Sequence, residues 1–156
     1  MKQQLIERVK SEIAVLAHEI GGLGPSSDRV KIGGVVIGTQ RYLGVIIENL
    51  GVNPRCFFGT KSVRALLLLP PVYPRVPPLG IYVNRRHRVT STHFIGRSTY
   101  GVPDLVNQGW YWFCHGVGSL DQPHLQALWR PAANPADGHN LATVVAAARV
   151  AMNAGD

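Results

Sequence analysis

Residues 62–78 read SVRALLLLPPVYPRVPP, an apolar run followed directly by a proline-rich stretch. The apolar part, Ser62–Leu69, has the length and the side chains that favour a β-strand. Three other runs, rich in β-branched residues and bounded by glycine, have the same character: Val30–Ile37, Tyr42–Leu50 and, more weakly, Gly80–Val83. The sequence therefore predicts four strands.

The segments between these runs indicate how the strands pair. Gly51-Val52-Asn53-Pro54 and Gly59-Thr60 contain the residues of tight turns, which reverse the chain over a short distance. Neighbouring runs are therefore expected to pair with one another, as an antiparallel meander. From Asn84 to Gln108 the periodicity fails and Gly, Ser, Thr, Arg and His dominate, which predicts a loop.

Helical periodicity precedes and follows the strands. Near the N-terminus, apolar side chains recur every three or four residues, and charged residues, Glu12 among them, take the complementary positions. A glycine pair predicts that this helix ends near Ile20. The alanine-rich segment Asn140–Met152 predicts a second helix, for which Asp137 or Asn140 could be the cap. These elements predict an α+β fold with helices against one sheet.

Length and hydropathy indicate a single domain over residues 1–156. The chain has 46% hydrophobic residues and a mean hydropathy of +0.05, enough for one substantial core. Its longest apolar stretch, Val63–Pro71, is too short to span a bilayer. Residues Met1–Arg8 lack the apolar centre of a secretory signal. We therefore expect a cytoplasmic protein that is not held in a membrane.

The net charge of +7 implies attraction to acidic surfaces, which could belong to nucleic acid or to a protein. The basic residues are scattered along the sequence, however, and no aromatic and basic nucleic-acid motif is present. We therefore expect no nucleic-acid partner. The six histidines show no short metal-ligand spacing. Neither a metal ion nor another cofactor is expected.

Two cysteines, Cys56 and Cys114, raise the question of reactivity. A reducing compartment would keep both as thiols. Without further context each would be a buried structural residue, because cysteine is among the most buried residue types. This interpretation is kept for Cys56. A Cys114–His115 protease dyad is excluded, since neighbours on an extended segment point in opposite directions.

Three ordered segments resemble the ubiquitin-conjugating enzyme family. The first is Leu66–Pro78, with its Tyr-Pro and Pro-Pro pairs. The second is Gly109-Trp110-Tyr111-Trp112-Phe113-Cys114-His115, similar to the approach to the family's catalytic cysteine. The third is Leu128-Trp129-Arg130-Pro131-Ala132, followed by the helix beginning near Leu141. The resemblance implies an N-terminal helix, a four-stranded antiparallel meander, a long loop carrying the active cysteine, and a C-terminal helix.

The resemblance also implies a transferase activity centred on Cys114. In this family the cysteine accepts the C-terminus of a ubiquitin-like modifier from an activating enzyme and passes it to an amine of an acceptor protein. A thiolate suits this role because it is strongly nucleophilic and forms a thioester that stays reactive toward amines.

The sequence departs from the family in the residues around the cysteine. The usual His-Pro-Asn motif is absent, and Asn107 is the nearest candidate for its asparagine, with a simple turn residue as the alternative. In the family, acidic groups near the cysteine assist deprotonation of the acceptor lysine. The two candidates for this role here are Asp121 and Asp137. Fifteen positions separate Cys114 from Trp129, which implies an enlarged loop, and a single helix follows.

These departures resemble divergent bacterial conjugating enzymes of ubiquitin-like antiviral defence systems. By the same resemblance, Lys2, Arg8 and Lys10 on the first helix are candidates for docking the activating enzyme, with ordinary surface solvation as the alternative. A second functional hypothesis is a catalytically inactive relative of the same fold, an adaptor that would bind ubiquitin-like proteins or partner enzymes. A third is a basic nucleic-acid-binding α+β domain, for which salt-dependent binding to oligonucleotides is the test.

Overall fold

The structure is a computed structural model. It describes residues 2–20, 29–78, 81–88, 94–95, 105, 107–113 and 129–153. Two α-helices, six strands and a short 3-10 helix at Pro135–Asp137 have both ends within these ranges, and Leu105 and Asn107 are also helical. In chain order the helices and strands are α1 Lys2–Ile20, β1 Val30–Ile37, β2 Gln40–Gly51, β3 Ser62–Leu69, β4 Ile81–Val83, β5 Phe94–Ile95, β6 Tyr111–Phe113 and α2 Leu141–Asn153.

The six described strands form one antiparallel sheet in the order β1-β2-β3-β4-β6-β5. Its first four strands are consecutive neighbours, which confirms the predicted meander. The β1–β2 register runs from Val30 opposite Ile47 to Ile37 opposite Gln40, closed by a turn in which Gly38 has a φ of 62°. Glycine suits that left-handed turn position because it has no Cβ to clash.

Both helices pack on the same face of the sheet. Val9 and Leu16 of α1 and Leu141 of α2 are fully buried against a core that includes Val45 and Leu67. Burying each such side chain stabilises the fold by about 1.5–3 kcal/mol. The prediction of an α+β fold with helices against one sheet is therefore confirmed.

The opposite face of the sheet carries a second apolar cluster. Leu66, Tyr82, Leu105 and Trp112 are all buried there. Side chains alternate between the two faces along a strand, so the neighbours Leu66 and Leu67 belong to different clusters. This explains why β3 has an almost continuous leucine run instead of an alternating pattern.

Two strands lie where no strand was predicted. Phe94–Ile95 forms β5 inside the segment predicted as a loop, and Tyr111–Phe113 forms β6. Tertiary contacts give both segments their strand conformation, because β6 pairs with β4 and β5 pairs with β6. Strands of two or three residues have no periodicity of their own, so pairing to an existing edge decides their conformation.

Helix α2 begins where the side chain of Asn140 caps it. Its Oδ1 accepts the N–H of Ala142 at 2.8 Å and the N–H of Thr143 at 3.3 Å, and the Thr143 hydroxyl accepts the Asn140 N–H at 3.1 Å. These bonds satisfy donors that have no partner within the first turn of a helix. Of the two predicted caps, Asn140 is therefore the one used, and Asp137 ends the preceding 3-10 helix.

Candidate active site

Two segments that carry the family resemblance are in direct contact. The indole Nε1 of Trp129 donates a hydrogen bond of 2.6 Å to the carbonyl of Pro74, across 55 positions of sequence. The ring centroids of Tyr73 and Trp129 are 6.4 Å apart, and both side chains are buried. The proline-rich turn and the Trp-Arg-Pro segment therefore form one packed junction, called here the landmark junction (Tyr73, Pro74 and Trp129).

The turn itself is locally fixed. The Tyr73–Pro74 peptide bond is cis. The N–H of Tyr73 donates to the carbonyl of Pro70 at 3.0 Å, and that of Arg75 donates to the carbonyl of Val72 at 2.9 Å. Short-range bonds of this kind close a turn without help from other elements. The Tyr73 side chain is thereby held toward the core while Val72 and Arg75 stay exposed.

A buried carboxylate connects the landmark junction to both helices. Glu12 of α1 is fully buried, and its Oε2 lies 2.7 Å from Arg8 Nε. Its Oε1 accepts the Tyr73 hydroxyl and, at 2.8 Å, the N–H of Leu141 at the start of α2. Negative charge is favourable at a helix N-terminus, and hydrogen bonds to an ionised group are the stronger ones. Glu12 thus joins three parts of the chain.

The phenol of Tyr73 acts as a neutral donor in this arrangement. Burial raises its pKa far above the usual value for tyrosine, and the charge of Glu12 together with their hydrogen bond raises that pKa further. The positive charge of Arg8 acts in the opposite direction and does not offset the increase. Tyr73 therefore keeps its proton and donates a hydrogen bond to Glu12 throughout the neutral pH range.

The burial of Glu12 corrects the prediction that it lies on the charged, solvent-facing side of α1. A signal for burial is present in its spacing, since Glu12 is three residues after Val9 and four before Leu16, both on the core face. A charged residue is rarely buried without partners. Arg8, Tyr73 and the Leu141 N–H supply those partners here.

The basic residues predicted to dock an activating enzyme differ in their environments. Arg8 Nη1 donates to the carbonyls of Ala132 and Ala133, the latter at 3.1 Å, so its guanidinium binds the protein's own backbone. Lys10 is exposed, with Nζ 3.9 Å from Glu7. Lys2 is the first residue of α1, and its side chain lies outside what the structure describes. Arg8 is therefore a structural residue.

Of the predicted catalytic residues, Cys114 and Asp121 lie outside the described residues. What the structure does describe is the strand before the cysteine, because β6 ends at Phe113 and its register pairs Ile81 with Phe113 and Val83 with Tyr111. The backbone leading to Cys114 is thus part of the sheet as far as the preceding residue.

Asn107 is helical, with an exposed side chain, and directly precedes the turn at Gln108 and Gly109 that leads into β6. The N–H groups of Gln108 and Trp110 both donate to the carbonyl of Leu105 at 3.1 Å, and Gly109 has a φ of 94°. Asn107 thus lies at the end of a helical segment, immediately before a turn, and its catalytic role stays a prediction.

Asp137 is exposed and lies on the other side of the sheet from Asn107. Its 3-10 helix packs against α1, whereas Leu105, two residues before Asn107, packs in the second apolar cluster. Helix α1 and that cluster occupy opposite faces. The structure therefore does not bring Asn107 and Asp137 together in one site.

Cys56 is fully buried in the turn between β2 and β3 and belongs to the main core. Its N–H donates to the carbonyl of Asn53 at 3.0 Å, and its carbonyl accepts the N–H of Arg88 at 2.6 Å. The interpretation of Cys56 as a packing residue is confirmed. The contact with Arg88 also places the segment after β4 beside this turn.

An apolar cavity of about 540 Å³ opens between α1 and strands β1–β3. It is lined by Leu5, Gly34, Arg41, Tyr42, Leu43, Leu69 and Pro71. The Arg41 side chain extends over Gly34, where an added Cβ would be 2.7 Å from Arg41 Nε. The absence of a side chain at position 34 therefore lets this arginine lie along the rim.

Over the described ranges, no three His, Cys, Asp or Glu side chains are grouped so that they could hold a metal ion. Nor does any helix in this part of the chain have the length and apolar character needed to cross a membrane. Comparisons with protein-family models, with curated proteins and with solved structures found no significant match.

Proposed function

We propose that this protein is a cytoplasmic ubiquitin-like-protein conjugating enzyme of a bacterial defence system, with Cys114 as the acyl carrier. The thiolate of Cys114 attacks the thioester that joins the modifier's C-terminus to the activating enzyme. A new S–C bond forms as the activating enzyme's thiolate leaves. An amine of the acceptor protein then attacks the new thioester, giving an amide and regenerating the Cys114 thiol.

The contact between Trp129 and Pro74 carries this proposal. The family resemblance depends on three sequence segments, any of which could occur by chance. Chance similarity gives no reason for two of them to pack together, yet the indole of Trp129 donates a hydrogen bond of 2.6 Å to the Pro74 carbonyl, and its ring centroid lies 6.4 Å from that of Tyr73. A shared fold does give such a reason, because a family would retain together those segments that contact each other in its fold.

The third segment is connected to the same framework through the sheet. Strand β6 precedes Cys114 and pairs with β4, whose own neighbour β3 leads into the proline-rich turn. A nucleophile next to a paired strand starts from a fixed backbone position, which favours reaction with a docked partner.

Three residues are candidates for assisting Cys114: Asn107, Asp121 and Asp137. Asn107 is helical and exposed, immediately before the turn that precedes β6. Asp137 lies on the α1 side of the sheet, away from Asn107. We propose Asp121 or Asp137 as the acid that would assist deprotonation of the acceptor amine, Asp121 being the nearer to Cys114 in sequence.

Docking of the activating enzyme is assigned to basic residues of α1. Arg8 is hydrogen-bonded to the backbone of Ala132 and Ala133. We therefore propose that Lys2 and Lys10 contact the activating enzyme. Reversal of both charges, Lys2→Glu with Lys10→Glu, is expected to slow loading by the activating enzyme. The double variant should keep the wild-type melting temperature.

The experiment combines the protein with an activating enzyme, its ubiquitin-like modifier and ATP, and resolves the products on non-reducing gels. We expect an adduct that dithiothreitol removes. Cys114→Ala should abolish it, and Cys56→Ala should retain it, because Cys56 is buried in the core. A thiol-sensitive adduct on Cys114→Ala would refute the proposal.

The absence of His-Pro-Asn and the exposed position of Asn107 favour one competing function, the catalytically inactive adaptor. An adaptor would bind the modifier or a partner enzyme without forming a thioester. Titration of the modifier with the ¹⁵N-labelled protein distinguishes the two. Binding by both wild type and Cys114→Ala, with no adduct from either, would support the adaptor.

A further inference from the structure

One end of the sheet brings together two loops that are distant in sequence. The turn between β2 and β3 and the segment after β4 are joined by the bond from the Arg88 N–H to the Cys56 carbonyl, at 2.6 Å. The rings of Phe57 and His87 meet edge to face, with centroids 5.0 Å apart. These contacts make the two loops one surface.

This surface is strongly basic. It presents five exposed cationic side chains, from Arg55, Lys61, Arg85, Arg86 and Arg88, which are called here the basic face. Among the described residues, no carboxylate lies within ion-pair distance of any of them, whereas nearby Arg64 is paired with Glu48 at 2.7 Å. Clustered like charges raise the local potential and destabilise the fold, so an anionic ligand would relieve the repulsion.

The basic face also presents an aromatic ring. Phe58 is 66% exposed and has a φ of 52°, a left-handed conformation that is unfavourable for a bulky side chain. The turn is fixed by bonds from the Gly59 N–H to the Pro54 carbonyl at 2.8 Å and from the Thr60 N–H to the Phe57 carbonyl at 3.0 Å. Core packing accounts for buried Phe57 and gives no reason for the exposure of Phe58.

The combination of many cations with one exposed ring distinguishes between two kinds of acidic ligand. Protein interfaces are enriched in aromatic residues and Arg, but their centre is apolar and depleted of charge as a whole, unlike a surface with five exposed cations. Sites for single-stranded nucleic acid combine cations that contact phosphates with aromatic rings on which bases stack. The basic face has the second composition.

We propose that the basic face binds single-stranded nucleic acid, with phosphates contacting the five cations and a base stacked on Phe58. The expectation of no nucleic-acid partner was based on the scattering of basic residues along the sequence. In the folded chain these basic residues are no longer dispersed, because the turn with Arg55 lies beside the segment that carries Arg85, Arg86 and Arg88. This binding is independent of the role proposed for Cys114.

The test uses the full chain and fluorescein-labelled 20-nucleotide oligouridylate and oligothymidylate, with fluorescence anisotropy measured between 50 and 300 mM salt. Five phosphate contacts predict that the logarithm of the affinity falls against the logarithm of salt with a slope of about −3.5. A duplex of the same length should bind more weakly, because its bases are not available for stacking.

Charge reversal with a matched control locates the site. Arg55→Glu, Arg85→Glu and Arg86→Glu together should reduce the affinity at least ~30-fold and flatten the salt slope by about 2. The control triple variant, Lys31→Glu with Arg41→Glu and Arg75→Glu, makes the same change in net charge at exposed positions elsewhere. It should lose less than ~3-fold, since only long-range attraction is affected.

Phe58→Asn isolates the stacking contribution. Asparagine tolerates a positive φ, so this variant should keep or raise the melting temperature while its affinity falls roughly tenfold. Phe58→Tyr should retain binding. Equal losses in the two charge-reversal variants, or unchanged affinity in Phe58→Asn, would overturn the proposal. So would binding of polyglutamate in preference to the oligonucleotides, which would identify an acidic protein ligand.

Discussion

Oε1 of Glu12 accepts the backbone N–H of Leu141 at 2.8 Å, joining the N-terminal helix to the first residue of the C-terminal helix across 129 positions. The same carboxylate binds Arg8 and Tyr73, so a single buried charge is bonded to both helices and to the proline-rich turn. Removing it would leave several polar groups buried without partners.

Glu12→Ala is therefore expected to lower the free energy of unfolding by about 3–5 kcal/mol, the cost typical of breaking a buried ion pair from one side. Glu7→Ala is the matched control, because Glu7 is an exposed acid on the same helix. Its effect should stay within about 0.5 kcal/mol. Urea denaturation measures both, and similar losses would contradict the structural role of Glu12.

Tyr73→Phe tests the hydrogen bond to Glu12 and its pH dependence. Losing a bond to a charged acceptor should cost about 1.5–3 kcal/mol at pH 7. Because the folded-state pKa of Tyr73 is raised above the unfolded value of about 10, its stabilising contribution is complete below pH ~10 and declines as pH rises further. The wild type should then lose up to about 1.4 kcal/mol per pH unit more than Tyr73→Phe.

Chemical denaturation of both proteins between pH 8 and 11 checks this slope. All other side chains are the same in both proteins, so their contributions cancel in the comparison. Parallel stability curves would show that Tyr73 ionises normally and that the bond to Glu12 is weak.

Two glycines opposite each other in the β1–β2 pair should respond differently to alanine. A Cβ at Gly44 would lie 2.8 Å from Val35 Cγ2 and 3.0 Å from Leu66 Cδ1, whereas one at Gly33 would meet nothing within 4 Å. Gly44→Ala should destabilise by about 1–3 kcal/mol through overpacking. Gly33→Ala should be neutral or stabilising by up to about 1 kcal/mol, since alanine has less conformational entropy to lose. Thermal unfolding of both variants tests the pair, and a reversed order would contradict the register.

The cap of α2 gives a further comparison. Asn140→Ala removes the acceptor for the Ala142 and Thr143 N–H groups and should cost about 1 kcal/mol. Asp137→Ala changes an exposed residue outside the helix and should leave stability within about 0.5 kcal/mol. Equal losses in urea denaturation would show that the cap contributes nothing specific.

The regular elements were predictable because each has a period of its own. Val30–Ile37 and Ser62–Leu69 were predicted with the bounds observed, and the face of α2 that includes Leu141 and Met152 is buried as its spacing indicates. Strands β5 and β6 were not predictable, because two or three residues have no period and depend on the edge of β4.

Tertiary contacts also explain what sequence reasoning missed around the candidate sites. Glu12 is charged and was assigned to solvent, although its bonds to Arg8, Tyr73 and Leu141 make burial favourable. The basic face could not be recognised from the sequence, because its members are dispersed between residues 55 and 88. The candidate nucleophile, Cys114, still depends on its sequence neighbourhood and on the contact between Pro74 and Trp129.

The most direct test of the central claim is to map the covalent bond to the modifier. After incubation with activating enzyme, modifier and ATP, the adduct is digested at acidic pH, which preserves thioesters, and the linked peptide is sequenced by mass spectrometry. The account predicts a thioester between the modifier's C-terminal carbonyl and Cys114. A linkage to Cys56, or an unmodified Cys114 while a known conjugating enzyme is loaded by the same activating enzyme, would contradict it.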